Sequence, residues 1–201
     1  MLTRRNLLQS GVAAGMLGAA GPVFATVIPH QPRINDGLLA RARAALEAKR
    51  PSLQYTDVIG IADYSQASRN QRFYLLYPES GMVSAYQVAH GRGSDPYHSG
   101  YLNYFSNQHG SEASSSGAYV TGDVYYGKYG RSLRLKGLDH SNSNALARGI
   151  VVHCASYAEP GIVDRFGKLG RSEGCFTLSQ LSLQYVLQQL GPGRLLYSDK
   201  V

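Results

Sequence analysis

The chain has no tryptophan, and only two cysteines, three methionines and five phenylalanines in 201 residues. It holds no dense Lys/Arg run, no internal repeat and no low-complexity tract. The missing basic run argues against a nucleic-acid partner, although the formal charge is +7. The missing repeats and linkers leave one domain with a sizeable core. His90, His98, His109 and His140 lie in no compact ligand spacing, which sets a metallohydrolase aside. The one apolar stretch, Val12 to Ala20, is too short and glycine-rich for a convincing membrane span. No cysteine follows that stretch, which argues against a lipoprotein.

What is abundant is tyrosine (15) and glycine (23), with 43% hydrophobic residues. That mix suits short strands and turns more than a helix bundle. The basic balance points to an anionic neighbour, a polymer or a membrane surface.

The first 25 residues read as an export leader rather than as part of the fold. Thr3-Arg4-Arg5-Asn6-Leu7-Leu8-Gln9 resembles a twin-arginine signal, the apolar run follows it, and Val23-Phe24-Ala25 fits a small-residue cleavage site. The expected destination is the periplasm, with no stable membrane insertion after cleavage. Residues 26–201 are then a single domain.

Residues 26–35, with Pro29 and Pro32, read as extended. Asn35 or Asp36 caps a helix over about 37–49, a terminal extension with Leu38, Leu39, Ala42, Ala45 and Leu46 on one face. Asp57 to Asp63, Arg72 to Tyr77 and Met82 to Ala89 follow as three strands, expected to pair antiparallel. Residues 90–117 form a long Gly/Ser-rich loop, either a functional feature or a flexible excursion. Tyr119 to Tyr126, Ser132 to Leu138, Gly149 to Ala155 and Arg194 to Ser198 are further strands. A helix over about 178–190 ends at Gly191 and Pro192. The inventory is a β-rich α+β domain.

Chemistry concentrates at Gly170-Arg171-Ser172-Glu173-Gly174-Cys175-Phe176-Thr177. Thr177 and Gln180 have capping-box spacing, which predicts that Cys175 lies just before a helix N-terminus. Such a site favours a thiolate and lowers a cysteine pKa from about 8.5. Along Gly149 to Ala155, side chains alternate between two faces. Ile150, Val152 and Cys154 share one, and His153 points to the other. Cys154 therefore reads as a small core residue, and a Cys154–Cys175 bridge requires broken strand geometry. Imidazole beside a thiol is the arrangement nucleophilic catalysis needs, with backbone N–H groups for the developing oxyanion. Gly174 permits close backbone approach, the Cys175 N–H is a second donor, and Ser172 is placed to bond His153, the loop or a substrate.

These residues resemble the murein L,D-transpeptidase catalytic-domain family, with its YkuD-like fold. The signature is a strand His, a gap of around twenty residues, then Ser-x-Gly-Cys; here His153, Ser172, Gly174 and Cys175. Ile61 to Ser65, Val88 to Ser94, Phe105 to Asn107, Gly117 to Gly122, Tyr126 to Gly130, Ser132 to Leu138 and Ala147 to His153 are similar to segments of one branch, so that the resemblance covers about 57–198. It implies a mixed β-sandwich or barrel-like sheet with a helix after the cysteine loop. It implies an enzyme of the periplasm acting on peptidoglycan stem peptides, with no cofactor and no metal. Cys175 would be the nucleophile and His153 the base, its other nitrogen oriented by the Cys154 carbonyl. Gly174 and Cys175 would hold the oxyanion, with Ser172 beside them. Arg171, Glu173, Phe176, Tyr119 and His90 are carried over as substrate-binding positions. Glu173 stands where relatives commonly have His or Trp, Phe176 where this branch often has Pro, and Thr177 where many carry Asn or Arg. Those departures put substrate choice in doubt and leave an atypical donor position open. Glu173 is expected to raise the thiol pKa by like-charge repulsion, or to position an amine, with Arg171 offsetting it. Two rivals stay open: an L,D-carboxypeptidase or endopeptidase using the same pair, and a non-catalytic wall-binding domain.

Overall fold

The computed structural model describes residues 31–201; the expected leader lies outside the described residues. Asn35 caps the first helix, α1 (Asp36–Lys49), its side chain accepting from Gly37 N at 2.9 Å and Leu38 N at 3.2 Å. Asp36 in the first turn and Lys49 in the last suit the helix dipole. Leu38, Ala42 and Leu46, spaced by four, form the buried stripe.

Among the described residues, eight strands make one mixed sheet: β1 (Ile59–Asp63), β2 (Gln71–Leu76), β3 (Val83–Gln87), β4 (Gly117–Gly127), β5 (Gly130–Gly137), β6 (Val151–Cys154), β7 (Phe176–Leu178) and β8 (Leu195–Asp199). The order is β3-β2-β1-β8-β4-β5-β6-β7. Pairing is antiparallel except at β1–β8 and β6–β7. The sheet separates two apolar clusters. Ile59, Ile61, Tyr74, Leu76 and Leu195 pack with α1 on one face. Ala62, Phe73, Leu75, Val152 and Phe176 turn the other way, against Leu183, Val186, Leu187 and Leu190. This is the period-two alternation of a strand buried on both sides.

Those four leucine and valine side chains belong to the last helix, α3 (Gln180–Leu190). Its cap is Ser179, which accepts from Ser182 N at 3.2 Å, and not Thr177 as the capping-box spacing predicts. Thr177 is extended in β7, opposite His153, and its carbonyl accepts from Ala89 N at 2.8 Å. A three-residue strand therefore separates Cys175 from the helix. One further short helix, α2 (Pro160–Phe166), has no counterpart in the sequence reading; proline opens it and left-handed Gly167 closes it.

The loop over 90–117 is packed, not an excursion. Gly91 bridges to Ser172, and Gly91 N donates to Ser114 Oγ at 3.0 Å. A Cβ at Gly91 would fall 2.8 Å from Gly174 Cα. This loop is the floor on which the cysteine loop lies.

Candidate active site

The cysteine loop is fixed from two sides. Ser172 N donates to His90 O at 2.9 Å, and Ser172 O accepts from Arg92 N at 2.7 Å. Within the loop, Ser172 Oγ donates to Cys175 O at 2.8 Å and accepts from Gly174 N at 3.2 Å. Ser172 thus shapes the turn and makes no bond to His153. Gly174 has φ +113°, and a Cβ there would fall 2.7 Å from both Ala113 O and Ile150 Cδ1, so no other residue fits unstrained. The Gly174 N–H, expected as an oxyanion donor, is already engaged by Ser172. The Cys175 N–H makes no hydrogen bond among the described residues and is the free donor.

The Cys175 thiol donates to Gly149 O at 3.6 Å. Burial pushes it up to about 11, and the Glu173 charge adds to that; the Val151 N–H and the Arg148 guanidinium act in the opposite sense. The expected pKa depression from a helix N-terminus is therefore overturned, because β7 stands between the sulfur and α3. A neutral thiol in this setting needs a base to become a nucleophile.

His153 Nδ1 donates to Cys154 O at 2.9 Å, which leaves Nε2 as the lone-pair nitrogen of the neutral ring. Nε2 meets Thr177 Oγ1 at 3.1 Å, and Thr177 Oγ1 meets the Tyr157 hydroxyl at 3.2 Å. The Tyr129 ring stacks on the imidazole at 4.3 Å between centroids. Burial holds the His153 pKa below its ordinary value, against the Cys154 carbonyl, which raises it.

His153, Cys175, Ser172, Arg171 and Glu173 share the wall of a cavity of about 200 Å³ with Tyr129, Tyr157, Arg148 and Arg92. The sequence reading did not single out these last four. Tyr129 sits in the β4–β5 hairpin turn and Tyr157 in a short turn after β6, brought in by contacts distant in sequence. Arg148 is held by Ser106 O and Ser115 Oγ, both at 2.7 Å, and biases the thiol toward its anion. Arg171 is tied to the carbonyls of Asp95 and Pro96, so the cation beside Glu173 is Arg92, at 3.4 Å, and not Arg171.

Three expected substrate contacts are corrected. Phe176 is fully buried, stacked on Tyr64, because alternation in β7 sends it inward while Thr177 faces His153. Tyr119 is fully buried, its hydroxyl donating to Ser115 O at 2.8 Å. His90 is sealed between Arg72 Nη2 (2.7 Å to Nδ1) and Asp95 Oδ2 (3.3 Å from Nε2). Burial and the Arg72 charge bring His90 down to about 3. Cys154 and Cys175 are both free thiols. Cys154 packs against the core cluster as expected, but only half-buried, and it also lines a neighbouring groove of about 790 Å³ across Tyr129.

A thiol and a neutral imidazole thus line one small pocket at the edge of the mixed sheet. Residues 30–198 match the family model for the L,D-transpeptidase catalytic domain, YkuD_2. The chain belongs to that family. Among solved structures it is similar to an L,D-transpeptidase from Mycobacterium smegmatis, at 14% identity and a TM-score of 0.45, covering 71% of this chain and 58% of the other. It is also similar to a mutant of the helical cell shape determining protein Pgp2 from Campylobacter jejuni, at 15% identity and a TM-score of 0.46, covering 83% and 57%. A third is the L,D-transpeptidase from Xylanimonas cellulosilytica, at 16% identity and a TM-score of 0.40, covering 78% and 68%. The chain spans less than three-fifths of the length of the first two. No curated protein matched.

Proposed function

We propose that this chain is a peptidoglycan L,D-transpeptidase with Cys175 as nucleophile and His153 as base. The observation that carries the reading is the shared pocket of Cys175 and His153, the imidazole fixed in the tautomer that leaves Nε2 as acceptor.

In this reading the Cys175 sulfur attacks the carbonyl at an L–D junction of a stem peptide, and the Cys175 N–H receives the oxyanion. The C–N bond breaks, the departing amine takes a proton held at His153, and a thioester remains. An amine of a second stem then attacks the thioester, forming the cross-link and returning the thiol. Arg171 and Glu173 flank the entry and are the positions assigned to substrate choice, including an atypical donor junction. The protein works in the periplasm, exported through Arg4-Arg5 and its leader. A mature protein that still began at Met1 would end the export proposal.

The test is incubation with intact sacculi, followed by mass spectrometry of the muropeptides. New dimers support transpeptidation. Trimmed monomers without dimers replace it with hydrolysis, and unchanged muropeptides replace it with wall binding.

A further inference from the structure

Arg92, Arg148 and Arg171 share the wall of the catalytic cavity with a single carboxylate, Glu173. The thiol and the imidazole add no charge at neutral pH, since burial raises the first and lowers the second. The wall therefore carries more positive charge than its own side chains balance. The three guanidinium groups differ in how that charge is met. Arg92 is compensated: its Nε and Nη2 donate to the Glu112 carboxylate, and Glu173 lies 3.4 Å from Nη2. Arg148 and Arg171 make no ion pair among the described residues; every partner they have is neutral.

Those neutral partners fix both groups in place. Arg148 Nη1 donates to Ser106 O and Ser115 Oγ, and its Nη2 to Ser111 Oγ at 3.2 Å and to Ala113 O. Its Nε has no partner among the described residues. Arg171 Nη1 donates to the carbonyls of Asp95 and Pro96, while its Nε and Nη2 have none. Carbonyls and hydroxyls orient a planar guanidinium without cancelling its charge. Arg148 is half-buried, and burial works against its cation. A charge taken out of water is ordinarily paired, and a guanidinium cannot shed its proton instead. An ordered, unpaired cation beside the nucleophile is one half of an ion pair, and a substrate anion supplies the other.

The size of the cavity says where on the substrate that anion sits. About 200 Å³ has room for the scissile carbonyl and little more than one small residue beyond it. We propose that Arg148, together with Arg171, binds a free α-carboxylate on the residue that departs, so that Cys175 selects an L–D bond whose D residue ends in that carboxylate. The inference rests on the acyl-transfer reading and names the substrate group its site takes. A carboxylate accepts two parallel bonds from a guanidinium edge. Arg171 offers Nε and Nη2 in that way, and Arg148 adds its charge and its Nε. Glu173 pairs with Arg92, so its like charge is partly met on the same wall.

The test is the rate of acyl-adduct formation at Cys175, followed by intact-protein mass spectrometry. One soluble stem tetrapeptide is supplied as the free acid and as its C-terminal amide, and the adduct scored is the one that has lost the terminal residue. The acid-to-amide ratio does not depend on the fraction of protein folded, so each variant is its own reference. The wild type should acylate about tenfold or more faster from the acid. Arg148→Gln should slow both peptides, because Arg148 also favours the thiolate, and should bring the ratio down to about twofold or less. Arg171→Gln should lower the ratio by about threefold or more, and it keeps the test open should Arg148→Gln fail to fold. Equal rates from acid and amide in the wild type, or a wild-type ratio in either variant, would overturn the carboxylate site. Both rates lowered equally in Arg148→Gln would leave that residue a role toward the thiolate only. No adduct from either peptide on folded wild-type protein would remove the acyl-transfer reading, and this inference with it.

Discussion

His90 and His153 are buried to the same degree, each about 1% exposed, yet their surroundings make them opposites. His90 has both nitrogens bound to charged partners, Arg72 and Asp95, and no access to the pocket. Arg72 is itself fully buried, donating also to Val88 O and Gln66 O. Asp95 accepts from Ser99 N at 2.7 Å and Gly100 N at 2.8 Å. That network is a splint: the carbonyl of His90 holds Ser172, and Ser172 shapes the turn that presents Cys175. His153 has one nitrogen fixed by Cys154 O and the other bonded to the Thr177 hydroxyl, on the cavity that Cys175 also lines. Burial alone therefore does not distinguish a structural histidine from the one proposed as the base. The partner of the second nitrogen does.

Four experiments would break or sharpen this contrast. His153→Ala should lower turnover by about 10²–10⁴-fold, the usual contribution of a general base, while thermal unfolding shifts little. His90→Ala should do the reverse. Leaving Arg72 and Asp95 without the neutral ring between them should cost about 1–3 kcal/mol of stability for each buried hydrogen bond lost, measured by denaturant unfolding, with turnover per folded molecule far less affected. Equal losses of turnover in the two variants would erase the distinction.

Third comes acid. His90 folded has a pKa near 3, against about 6.5 unfolded, so between those values the unfolded chain binds the extra proton. Stability from this group is full above pH 6.5 and falls as pH drops toward 3, by at most about 1.4 kcal/mol per pH unit. The Asp95 carboxyl, held below its usual range by bonds from Ser99 and Gly100, loses its contribution in the same direction as it protonates. His90→Asn should flatten the His90 share of the slope in unfolding measured across that window. Catalysis should persist somewhat below pH 6.5, since the His153 pKa is also lowered, and fail once that ring is protonated. The smallest effect is expected at Glu173→Gln. Removing a like charge from beside the thiol should speed Cys175 alkylation by only about twofold to threefold, because Glu173 is 66% exposed and well screened.

Much of this was legible in the sequence. Strand alternation put His153 opposite Cys154, and the three N-terminal strands and α1 follow from local periodicity and the Asn35 cap. Two failures have a common cause. Thr177 has the spacing of a cap, but pairing with His153 and Ala89 holds it in a strand, a non-local interaction that local spacing does not encode. The aromatic Phe176 beside the loop cysteine suggests a substrate contact, but alternation from β7 turns it into the core. Tyr129 and Tyr157 enter the pocket from a hairpin turn and a short turn after β6. Tyr129 falls in the Tyr126 to Gly130 segment that carries the resemblance, but without a role assigned to it, and nothing in the neighbourhood of Tyr157 marks it among 15 tyrosines.

The central claim is that Cys175 carries the acyl group. Intact-protein mass spectrometry after brief incubation with a soluble stem tetrapeptide, followed by peptide mapping, tests it most directly. The account predicts a covalent acyl adduct on Cys175 in the wild type and in Cys154→Ala, and none in a folded Cys175→Ala. An adduct on Cys154, or one that survives in Cys175→Ala, would contradict it.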